Sequence, residues 1–123
     1  MTTSLARTVY LVPPQTVNEI PVGFPISTSG LAWPPKDPTD TLDFTLDAEW
    51  FLNDITDTIN TGDVTIAVTP EGITSANPVF TTSALTWDFS GGTSGVIYTA
   101  SITFQTIGGL TVHRTVNLPV ATL

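Results

Sequence analysis

Only His113 carries a side chain that changes charge near neutral pH without help from its surroundings, so acid–base chemistry in this chain would start there. It lies in the last apolar–polar alternation, in phase with Thr111, Thr115 and Asn117, which places it on a wet sheet face. No serine stands in a G-x-S-x-G elbow, and Ser90-Gly-Gly reads as a turn. Asp37, Asp40, Asp43 and Asp47 are dense enough to raise the question of calcium. An EF-type loop needs oxygen ligands around a central glycine and a closing glutamate, and this run has neither. Asp43, Asp47 and Glu49 also share the polar phase of a strand, so they are expected on a solvated face, and a cation site would have to be interstrand. The loop Ser90-Gly-Gly-Thr-Ser-Gly95 lacks the lysine and following helix of a phosphate cradle. With no cysteine, a disulfide framework, a thiolate zinc site and a cysteine nucleophile are all excluded. No catalytic, cofactor-binding or metal-binding residue is therefore assigned.

The aromatic residues divide by phase. Trp50 and Trp87 stand at apolar positions of alternating segments and are expected in the core, whereas Trp33, followed by Pro34-Pro35, is the candidate contact aromatic. Arg114 shares the phase of Val112, Val116 and Leu118, a position for a cation at a bulge or rim that pairs with an aspartate.

The elements that must position these residues are β-strands. The chain has 123 residues, one domain's length, of which 11% are charged, against about 25% in ordinary soluble domains. Threonine (24 residues) and serine (8) fill that gap, and β-branched threonine suits the outer face of a sheet, so long helices are not expected. Three Lys+Arg against 11 Asp+Glu leave a formal charge of -8, which argues against nucleic acid and against anionic membrane surfaces as partners. The first residues lack a basic stretch followed by an apolar one, and no apolar run is long enough for a helical membrane span, so synthesis in the cytoplasm is expected.

Seven of the ten prolines precede residue 39, so residues 1–38 read as an extended arm with Arg7-Thr-Val-Tyr-Leu-Val12 as its best strand. The arm is too rich in apolar residues for a linker and is expected to dock on a neighbour by strand addition, with Tyr10, Leu11, Val12 and Trp33 as anchors. Residues 39–123 alternate with period two through Leu42 to Trp50, then from Asp57 to Val68 with a turn at Asn60-Thr-Gly-Asp63. A loop over 70–78 follows, then Val79 to Thr82, Leu85 to Phe89, Val96 to Phe104, and a hairpin at Gly108-Gly109 into Leu110 to Val120. Six or seven short strands with frequent turns predict an all-β fold, an immunoglobulin-like antiparallel β-sandwich with an extended Pro-rich N-terminal arm. Tyr98, after the glycine loop, is placed to tie down a corner with its hydroxyl.

Lys36-Asp-Pro-Thr-Asp-Thr-Leu-Asp-Phe44 with Asp57-Thr-Ile59, then Ser90-Gly-Gly-Thr-Ser-Gly-Val-Ile-Tyr98 and Arg114-Thr-Val-Asn-Leu-Pro-Val120, resemble small virion proteins of tailed bacteriophages, the fibre-tail adaptor or head-tail module proteins. The resemblance covers about two thirds of the chain; its Ile107-Gly-Gly-Leu110 turn is more apolar, and its arm longer, than that family's pattern. It implies a non-enzymatic structural protein of the virion, in many symmetric copies, bound to tail, neck or fibre components and to copies of itself, with no cofactor or small-molecule substrate. Two other roles fit a sandwich of this kind: a capsid decoration or cement protein, and a carbohydrate-binding module, which needs exposed coplanar aromatics.

Overall fold

Leu42, Phe44 and Leu46 alternate with Asp43, Thr45 and Asp47, and this pattern lays one apolar face of a strand against a second sheet. The computed structural model describes residues 6–11 and 31–123. Its elements are β1 (Thr8–Tyr10), β2 (Leu42–Asp47), α1 (Glu49–Ile55), β3 (Ile59–Thr69), β4 (Ile73–Phe80), β5 (Ala84–Gly91), β6 (Ile97–Thr106) and β7 (Thr111–Pro119). One sheet has the order β1-β2-β5-β4 and the other β3-β6-β7. The two pack face to face as an all-β sandwich. The order β2-β5-β4 against β3-β6-β7 coincides with the B-E-D and C-F-G places of immunoglobulin-type sandwiches. β1 departs from that scheme, because it pairs in parallel with β2, Val9 opposite Leu46.

The core lies between the sheets: Phe44 and Leu46 from β2, Leu85, Trp87 and Phe89 from β5, and Tyr98, Ala100, Ile102 and Phe104 from β6. The arm contributes to it. Trp33 sits 5.5 Å from both Phe44 and Phe89, ring centre to ring centre, and its indole N–H donates to the Thr45 carbonyl at 3.0 Å. Residues 31–36 run parallel to β7: the Trp33 amide donates to Asn117 O, the Lys36 amide to Pro119 O, and the Ala121 amide to Lys36 O. Both described pieces of the arm thus satisfy sheet edges that would otherwise present unpaired backbone groups.

Four expectations are corrected. β2 stops at Asp47, and Trp50 is 60% exposed on α1 rather than in the core. The run Trp50-Phe51-Leu52 breaks the alternation, and Phe51 and Leu52 turn inward on a helix, where the period is 3.6. Asn60-Thr-Gly-Asp63 is an irregularity inside β3 and not a turn between elements, since the register with β6 shifts between Ile59 and Val64. Residues 73–78 form most of β4 instead of a loop. β4 is an edge strand, where Pro78 is tolerated beside the register shift between Ala76 and Val79, and Asn77 takes the positive φ there. Asp43, expected in solvent, is buried because Arg7 lies over it.

Candidate interaction site

His113 is exposed on β7 opposite Thr103, and its backbone oxygen accepts from the Arg114 guanidinium at 2.7 Å. Arg114 keeps the apolar phase assigned to it but pairs with an aromatic ring: its guanidinium carbon lies 5.8 Å from the centre of the Phe51 ring. The ring belongs to α1, on which Phe51 is buried. Among the described residues no group of three or more His, Cys, Asp or Glu comes together as a metal ligand set. Asp43 instead makes an ion pair with Arg7 at 2.8 Å, while Arg7 Nε donates to the Asp43 carbonyl at 2.7 Å.

The glycine loop is built around Tyr98. Its hydroxyl accepts the Thr93 amide at 2.9 Å, and a Cβ on Gly72 would lie 2.9 Å from that oxygen, so Gly72, at φ 134°, admits no side chain. Beside it the wholly buried Lys36 donates from Nζ to the carbonyls of Asp37 (2.7 Å) and Gly91 (2.8 Å). Burial lowers the Lys36 pKa below its ordinary value, while the negative charges of Asp40 and Asp37 act in the opposite direction. Asp37 itself receives the Leu123 amide, the Thr39 amide and the Thr39 hydroxyl, which hold its carboxyl at about 2. The quoted stretches beginning at Lys36, Ser90 and Arg114 therefore meet at one pole of the sandwich. The tyrosine corner stands as the sequence places it.

The opposite pole carries α1 and the β6–β7 turn. There the Asp57 carboxylate accepts the Thr58 and Gly108 amides at 2.8 and 3.0 Å, and hydrogen bonds led by that from the Thr106 side chain lower its pKa. Ile107, 67% exposed, lines an open cleft with Asn53, Thr56, Asp57 and Thr58. Leu110 and Trp50 are exposed at the same pole.

Of the four arm residues expected to anchor a neighbour, Tyr10 is half exposed, at 49%, beside the end of β2. Leu11 and Trp33 are turned into the protein's own core, Trp33 at 2% exposure, so their rings and chains are not free for a partner as the chain stands. Val12 lies outside the described residues. Trp50 is the exposed aromatic that alternation hides. The signal for it is the three-residue apolar run 50–52, with Ile55 one helical turn after Phe51 and Asp47 Oδ1 accepting the Glu49 amide where the helix begins.

What these features define is a small all-β sandwich module whose polar side chains mostly fasten its own loops and which leaves several large apolar side chains exposed. A family model, podophage GP4 fiber-tail adaptor protein gp77, matches residues 36–119. The chain belongs to this family. No match was found among the curated proteins.

Proposed function

We propose that this protein is a non-enzymatic structural component of the virion that joins fibre to tail, working as several copies in a symmetric assembly. The observation that carries the proposal is the family match, whose residues 36–119 span β2 through β7 and so take in nearly the whole sandwich. The geometry is in keeping with it. Tyr98, Lys36, Asp37 and Asp57, the most distinctive polar groups, each bind backbone of the chain itself, which suits a rigid connector. Its partners on this proposal are tail, neck or fibre proteins and neighbouring copies, and of the described arm anchors Tyr10 keeps its side chain half exposed toward them. An acidic chain of net charge -8 binds neither nucleic acid nor anionic lipid in this role.

The test is to grow particles from which this chain has been deleted and image them. Tails without fibres, with fibres restored when the purified protein is supplied, are the expected result. Fibres attached at normal number without the protein would overturn the proposal.

A further inference from the structure

Among the described residues the exposed large apolar side chains are distributed unequally over the sandwich, with one, Val79, on the edge strand β4. Trp50 stands on α1, Ile107 and Leu110 on the β6–β7 turn, and Tyr10 beside Asp47, the last residue of β2, so all four lie toward the end capped by α1. The link between these elements is fixed: the Ile107 amide donates to the Thr58 carbonyl at 2.9 Å, and Gly108 to Asp57. Ile97 and Leu123 belong to the other pole.

Trp50 is the sharpest of these. Trp50 is 60% exposed on a short helix whose buried contacts come from Phe51 and Leu52. Tryptophan is among the residue types that dominate interface energetics. The charge around it is mainly negative: Asp47, Glu49, Asp54 and Asp57 lie on or next to α1, against a single cation, Arg114, held over Phe51.

The geometry points to the α1 pole as the docking surface, with Trp50 as anchor, for a neighbouring virion protein that presents an apolar depression rimmed by Lys and Arg. A second copy of this chain is the poorer occupant, since it would bring another acidic rim against the first. This inference rests on the adaptor role and names the surface that would perform it.

The probe is the particle assembled without this chain, titrated with full-length protein. Trp50→Ala is expected to bind at least about tenfold more weakly than the native protein, with its melting temperature unchanged, whereas Ile97→Ala at the opposite pole binds normally. Added salt and the double change Glu49→Lys with Asp54→Lys should both weaken binding. Native-like binding by Trp50→Ala, or unchanged or tighter binding by the charge-reversed protein, would overturn the inference. So would self-association of the native protein that Trp50→Ala abolishes, because the occupant would then be a second copy. If Trp50→Ala proves unstable, the charge-reversed protein decides the matter alone. Failure of the native protein to bind these particles would instead remove the adaptor role on which the inference stands.

Discussion

Tyr98 holds the glycine loop with one oxygen, and Asp37 holds the chain's last amide with another, so the two make separable contributions to the same pole. Tyr98→Phe keeps the packing and removes the bond to Thr93. It should cost about 1 kcal/mol in chemical denaturation, and an unchanged midpoint would contradict the role given to the hydroxyl. Asp37 acts through charge. Because its carboxyl is held at about 2 in the folded protein, below its unfolded value, its stabilising effect is present at neutral pH and is lost as pH falls from about 4 toward about 2. The melting-temperature difference between the native protein and Asp37→Asn should therefore shrink over that interval. The three tryptophans give a third comparison. Trp33→Ala and Trp87→Ala empty sites in the core and should each cost about 3 to 5 kcal/mol, while Trp50→Ala should leave stability nearly unchanged. Thermal melts of the three variants check the ranking.

At the scale of elements, the strands that alternate cleanly were the legible ones. The run from Tyr98 to Phe104 buries every second side chain, and Leu85-Thr-Trp-Asp-Phe89 buries its three apolar positions with Thr86 between them buried as well, against Thr45 of β2; both runs are strands in the structure. The tyrosine corner was legible for the same reason, since Tyr98 opens such a run after glycines. Legibility failed where two periods overlap. Leu42 to Trp50 satisfies period two to its last residue, and only Phe51, Leu52 and Ile55 reveal that the helix has begun. β4 was hidden for a different reason: an edge strand exposed along most of its length has no apolar face to show, and its Asn77-Pro78 pair mimics a loop. The arm could be read as extended and apolar, but composition cannot say whose surface it covers. Val9, Leu11 and Trp33 cover the protein's own core. Removing residues 1–35 should consequently lower the melting temperature sharply, by uncovering Phe44 and Phe89. A truncated protein as stable as the full chain would contradict the placement of Trp33.

For the molecule as a whole, the two poles divide the work. One holds Lys36, the glycine loop and Leu123 by the chain's own hydrogen bonds, and the other presents Trp50, Ile107, Leu110 and Tyr10 beside acidic groups. An adaptor needs a fixed shape more than a moving part, and a sandwich whose loops are bound by their own polar side chains provides one. The bulk of the sandwich lies within the residues matched by the adaptor family, and an adaptor role requires a defined position in the particle. Cryo-electron microscopy of whole particles measures that position directly. The expected result is density for the sandwich at the junction of tail and fibre, repeated around the tail axis, with α1 facing an adjacent protein. Density spread over the capsid shell, or none at the fibre junction, would contradict it.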